Sequence, residues 1–116
     1  ETTAKNAAAT LGCDVSMELR PGYPPTLNHE NDALFARDVI TGMLGIDGLE
    51  TSMTPVMGAE DFSFMLEKKP GAYVWLGAGL QSENLHSPHF DFNDDLLPIG
   101  ASFWVQLAQS KLTQST

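Results

Sequence analysis

Only one cysteine, Cys13, occurs in the chain, so no internal disulfide can form and no cysteine-based zinc site can be built. Its place in an alternation of apolar and polar residues predicts a buried structural thiol, and the lack of disulfides fits a reducing, cytoplasmic setting. Basic residues are also scarce. Six stand against fifteen acidic ones, the formal charge is -9, and no basic cluster exists beyond Lys68-Lys69. Nucleic-acid binding depends on Lys and Arg neutralising phosphates, so a nucleic-acid partner is excluded and the acidity reads as a solubility feature. No apolar run approaches the ~18 residues of a membrane span, which excludes a membrane partner of that kind. The first residues carry neither the basic start nor the apolar stretch of a signal peptide. They open directly into a helical pattern without a methionine, which implies a piece of something longer.

What is present is enough for a globular unit: 116 residues, of which 42% are hydrophobic and 18% charged. Residues 3 to 11 read as a helix, with Ala4, Ala7, Ala8 and Leu11 on one face and Gly12 as its stop. Cys13, Val15, Met17 and Leu19 then alternate with polar residues, the period of a half-buried strand. A linker follows at Pro21-Gly22-Tyr23-Pro24-Pro25. Ala36, Val39, Ile40, Met43 and Leu44 recur at helical spacing and predict a helix over 30–44 that ends at Gly45. Residues 49–54 read as a short extended segment. Gly58-Ala59-Glu60-Asp61 opens a third helix that closes at Lys68-Lys69. Ala72 to Leu76 is a continuous apolar run, as in a strand covered on both faces, and Gly77-Ala78-Gly79 ends it. An acidic loop spans 80–96, and a last helix begins near Pro98 with Ile99, Phe103 and Leu107 as its inner stripe. The two strand candidates are of different kinds and lie across a proline-rich break. They therefore belong to two layers, the first with residues 1 to about 25.

Four features could carry chemistry. His86-Ser87-Pro88-His89, followed by Asp91, Asn93, Asp94 and Asp95, offers imidazole and carboxylate donors suited to a zinc-like ion. By spacing alone these acids more often stay solvated or cap a helix, and Asp94 or Asp95 is expected to cap the last one. Glu60 and Asp61 stand at a helix start, where a substrate carboxylate would meet free amides but also their own negative charge. Gly77-Ala78-Gly79 lies where ligands gather at strand ends, although a plain turn explains it as well. Tyr23 to Asn28 is a hinge or a rigid connector. No nucleophile constellation emerges.

Taken in order, Tyr23-Pro-Pro-Thr-Leu-Asn28, Met57-Gly-Ala-Glu-Asp-Phe-Ser63, Pro70-Gly-Ala-Tyr-Val-Trp-Leu-Gly77, Leu85-His-Ser-Pro-His-Phe-Asp-Phe-Asn-Asp-Asp95 and Leu97-Pro-Ile-Gly-Ala101 resemble the end of an aminoacylase-type metal-dependent amidohydrolase. The group resembled includes hippurate hydrolase and the hydrolases of auxin–amino acid conjugates. The resemblance implies an α/β fold: residues 28 to 116 as the C-terminal part of a zinc-exopeptidase-like catalytic domain, and residues 1 to 27 as the last helix and strand of an α+β lid. It implies two divalent ions, zinc or manganese, which activate water and polarise an amide carbonyl, with a glutamate base and a lid histidine on motifs this chain does not carry. His86 would be the one metal ligand supplied here. His89 falls at a variable position and takes no role, and Glu60 and Asp61 would line the pocket, positioning substrate or supporting the ligands. The implied partners are a small N-acyl amino acid substrate and a second copy of the parent, joined as a homodimer through the lid. One histidine cannot assemble a two-metal site, so this chain alone is expected to be inactive. Two other readings are open: a non-catalytic binding or assembly module acting through an exposed strand edge, and a single-metal site of His86, His89 and Asp91.

Overall fold

The computed structural model describes residues 1–113, and among them all regular structure is helical. Helix α1 spans Thr2–Thr10, α2 Glu30–Leu44, α3 Phe62–Leu66 and α4 Leu96–Thr113, with a single 3-10 turn at Ile46–Gly48 after α2. Helices α1, α2 and α4 stand close to where the sequence places them, and the glycine stops work as expected. Helix α3 is confined to Phe62–Leu66, shorter than the helix expected from Gly58-Ala59-Glu60-Asp61 to Lys68-Lys69. Gly12 (φ 66°) closes α1: its amide bonds to the Ala9 carbonyl at 3.1 Å and that of Cys13 to Ala8 at 2.9 Å, the paired bonds of a Schellman end. Gly45 (φ 76°) ends α2, with its amide on the Thr41 carbonyl at 2.9 Å. Gly48 is needed for a different reason, because a Cβ there would lie 2.7 Å from that of Leu44. At α4, however, the capping expectation is corrected. The Asp95 amide donates to Asn93 Oδ1 at 3.1 Å, so Asn93 makes the turn into the helix rather than Asp94 or Asp95.

The expected α/β character is not found among the described residues. Neither 13–20 nor 72–76 joins a strand ladder. The physical reason is the one the patterns already contain: a strand is stable only beside a neighbour, and these two segments do not pair with each other. Residues 13–20 are exposed throughout, with Leu19 at 82%, and Cys13 is an exposed thiol rather than a buried one. Residues 72–76 find a different kind of partner. The Asn28 carboxamide donates to the Tyr73 carbonyl at 2.9 Å and accepts the Tyr73 amide at 2.7 Å. One side chain thus satisfies both backbone groups of Tyr73, as a neighbouring strand would. Beside it the His29 amide donates to the Gly71 carbonyl at 3.0 Å and the Gly71 amide to His29 Nδ1 at 3.3 Å. These four bonds tie the start of α2 to a segment more than forty residues away.

The buried apolar core is small: Ala36 and Val39 of α2 and Leu66 of α3. Helices α2 and α4 pack together, with Lys111 Nζ 5.0 Å from the Phe35 ring centroid at one end of their contact. Met43 and Leu44 face Pro98 and Ile99 across a shallow groove at the other end. Gly100 of α4 comes near Leu76, so the apolar 72–76 run lies alongside that helix. No helix among the described residues is long and apolar enough to cross a membrane.

The accessible surface is 9974 Å², whereas a compact chain of this 12.6 kDa mass exposes roughly 6,200 Å². The radius of gyration is 20.7 Å, against about 13 Å for a compact chain of 100 residues. Trp75, Trp104, Met57 and Leu80 are among the large apolar side chains left at the surface. Surface of this extent needs a cover. The 116-residue chain in isolation is therefore expected to self-associate or to melt without cooperativity. Light scattering coupled to size exclusion, together with calorimetry, checks this, and a monodisperse monomer with a sharp melting transition contradicts it.

Candidate functional site

Glu60 and Asp61 lie immediately before α3. That helix is only five residues long, and its first turn is built by Glu60 itself. The Glu60 carbonyl accepts the Ser63 hydroxyl at 2.6 Å and the Ser63 amide at 3.2 Å. Ser63 is fully buried, so this local network rather than length holds the turn. The Glu60 side chain folds back over it. Oε1 accepts the Phe62 amide at 3.1 Å, and Oε2 accepts the Tyr73 hydroxyl at 3.0 Å. The Phe62 and Tyr73 rings meet beside the pair with centroids 5.6 Å apart, and the Tyr73 ring meets that of Trp75 edge-on at 6.3 Å. Asp61 is exposed.

The donors around Glu60 set its charge. The Phe62 amide first, then the Tyr73 hydroxyl, with a smaller contribution from Asp61, hold its carboxyl below the ordinary glutamate value. The same contact raises the Tyr73 phenol, chiefly because its proton is engaged by the carboxylate. Glu60 is therefore a fixed anion that accepts hydrogen bonds, not a proton donor near neutral pH.

His86 sits elsewhere, in the loop between the 72–76 segment and α4. It is exposed and is the one non-glycine residue with positive φ, at 68°, among the described residues. A left-handed backbone costs an L-residue roughly 1–2 kcal/mol, and such outliers gather where function demands a particular side-chain direction. The surrounding loop holds it there. The Ser87 amide bonds to the Asn84 carbonyl at 3.1 Å, Phe90 to the Ser87 carbonyl at 3.1 Å, and His89 to the Ser87 hydroxyl at 3.2 Å. The loop neck is closed by Asn93, whose amide group donates to the Ala78 carbonyl at 3.3 Å beside Gly79 (φ 98°). So Gly79 is the turn expected at the end of the apolar run.

No hydrogen bond or ion pair joins His86 to Glu60 or Asp61. Among the described residues no group of three or more His, Cys, Asp and Glu is placed to hold an ion. His86, His89 and Asp91 do not form such a group among the described residues. A lone exposed imidazole does fit one donor position of a zinc-like ion. Sequence reasoning missed Tyr73 and Asn28. Tyr73 looks like a strand residue in an apolar run, and Asn28 like the end of a connector. Their only signal is that each sits in a motif shared with the family resembled.

The Glu60 and Tyr73 shifts have opposite consequences for stability. Glu60 is depressed in the folded state, so its contribution is present above the ordinary carboxylate range and is lost as pH falls through the depressed value. Tyr73 is raised, so its contribution is present below the ordinary phenol range and is lost as pH rises through the raised value. Carbon-13 NMR titration of the Glu60 carboxyl is expected to give a midpoint below the usual glutamate range. A midpoint at or above that range contradicts the geometry.

Comparison with known proteins places these features. The family described as Peptidase family M20/M25/M40 matches residues 2–110. The chain is 39% identical over 100 residues to IAA-amino acid hydrolase ILR1-like 5 of Arabidopsis thaliana, covering 83% of this chain and 23% of that protein. It is 37% identical over 97 residues to N-acetyldiaminopimelate deacetylase of Streptococcus suis, covering 82% and 25%. With hippurate hydrolase of Campylobacter jejuni the identity is 36% over 107 residues, covering 90% and 27%. The chain thus spans about a quarter of the length of the curated relatives it matches. Helix α1, the Asn28 clamp, the Glu60 turn and the His86 loop all fall inside the matched span, and the chain belongs to the peptidase family M20/M25/M40.

Proposed function

We propose that this chain is part of a metal-dependent amidohydrolase that cleaves the amide bond of N-acyl amino acids or similar small amides. The family match over residues 2–110 carries the reading, since hydrolases of amino-acid conjugates, of an N-acetyl amino acid and of hippurate are among the relatives. Under it, residues 28 to 116 are part of an α/β catalytic domain and residues 1 to 27 part of a lid, through which the whole protein forms a homodimer. The exposed apolar surface and the segments 13–20 and 72–76, which lack a ladder here, support a larger domain around these helices.

His86 is the single metal donor this chain contributes. Its left-handed backbone and the closed loop neck support that role, because they fix where the imidazole starts. When bound, divalent ions supply Lewis-acid polarisation of the amide carbonyl and a nucleophile at neutral pH. The chain's own residues do other work. Glu60, held as an anion by Phe62 and Tyr73, presents a fixed hydrogen-bond acceptor. Asp61 next to it supplies a second carboxylate to the wall of the pocket. Neither is placed to relay a proton to His86, and this chain by itself is expected to be inactive.

The test is turnover of N-acetyl and N-benzoyl amino acids by the product of the complete reading frame, loaded with zinc, manganese or cobalt. Absence of turnover with all three ions sinks the reading. Replacing His86 with Asn keeps a residue that tolerates the left-handed backbone while removing the imidazole. His86→Asn is expected to lower bound metal and activity together, by more than the ~10–100-fold typical for losing a group that only supports a ligand. Elemental analysis and a melting curve check this. Unchanged metal content would remove His86 from the site.

A further inference from the structure

We propose that Tyr73 is a positioning residue of the amidohydrolase site, acting through Glu60. The inference rests on the functional reading above, but the contact that motivates it does not. Tyr73 is fixed at three points. Its backbone amide and carbonyl are both taken by the Asn28 carboxamide, at 2.7 and 2.9 Å. Its ring lies between those of Phe62 and Trp75, at 5.6 and 6.3 Å. Its hydroxyl donates to Glu60 Oε2 at 3.0 Å. The opposite carboxylate oxygen accepts the Phe62 amide at 3.1 Å.

A glutamate has three rotatable side-chain bonds, so a carboxylate used to orient a substrate must have that freedom removed. Here each oxygen takes a donor from a different part of the chain, one from the first turn of α3 and one from a residue thirteen positions on. The local bond alone fixes one oxygen and leaves the group able to turn about it. The Tyr73 hydroxyl removes that rotation and carries the position of the 72–76 segment into the acidic turn. Each oxygen retains a lone pair, which leaves Glu60 able to accept a further donor at either oxygen, such as the N–H of an amide substrate. Asp61 is exposed and takes no donor from the 72–76 segment. The two adjacent acids are thereby divided: Glu60 is the oriented one, and Tyr73 orients it.

The test is a double-mutant cycle in the complete enzyme with Tyr73→Phe, Glu60→Ala and both. Tyr73→Phe keeps the ring contacts and removes only the hydroxyl. It is expected to lower kcat/KM about tenfold, within the range for supporting hydrogen bonds, while the melting temperature stays within about 2–4 °C. The double variant is expected to be no slower than Glu60→Ala alone, because the proposed role of Tyr73 runs only through Glu60. Additive losses, or a Tyr73→Phe enzyme as active as the wild type, overturn the proposal. Where the wild-type enzyme itself turns over no amide, the functional reading fails first, and the proposal as a statement about catalysis falls with it. The coupling is then read separately by carbon-13 NMR. Tyr73→Phe is expected to raise the Glu60 midpoint, and an unmoved midpoint shows that the contact does not hold the carboxylate.

Discussion

The carboxamide of Asn28 satisfies both backbone groups of Tyr73, and much of the order in the described chain follows from that pair of bonds. Asn28 stands directly before the His29 cap of α2, so the clamp sets where that helix begins relative to the 70–76 segment. Tyr73 in turn reaches the turn before α3 through its hydroxyl and touches Phe62 and Trp75 through its ring. Three stretches distant in sequence are thus referred to one residue. An apolar run that would otherwise need a neighbouring strand has its first polar backbone groups answered by a side chain instead.

The two chemically suggestive regions are built on different principles. The Glu60 turn is a compact network in which a buried hydroxyl, two amides and a phenol converge on one residue, and burial of Ser63 shields its own bonds to the Glu60 carbonyl from water. The His86 loop has little burial. It is shaped by backbone turns, by the positive φ of Gly79 and His86, and by Asn93, which closes the neck and starts α4. A turn network of the first kind holds a carboxylate in a fixed charge state. A loop of the second kind leaves its imidazole exposed.

The small core and the large apolar surface are two sides of the same fact. Three buried apolar residues cannot offset the conformational entropy of more than a hundred ordered ones. The α2–α4 pair, the exposed 13–20 segment and the aromatic side chains at the surface therefore leave apolar area that only further packing would cover. Membership of the M20/M25/M40 peptidase family, together with coverage of about a quarter of its relatives, agrees with this physical picture.

The helices were legible in the sequence, because their signals are local. The spacing of Ala36, Val39, Ile40 and Met43, the glycines at 12 and 45 and the charges around 60 to 69 act within a few residues of one another. The ordered motifs likewise pointed to the family. Other features were decided only by tertiary structure. The alternation at 13–20 and the apolar run at 72–76 specify strands only where a ladder partner exists, so among the described residues the pattern does not become a sheet. The acidic pair at 60 and 61 was visible as charge, but its division into a clamped and an open carboxylate depends on a tyrosine hydroxyl thirteen residues on. That tyrosine is held in turn by an asparagine forty-five residues before it. No local pattern encodes such a contact, because its free energy exists only once the chain has brought the three residues together.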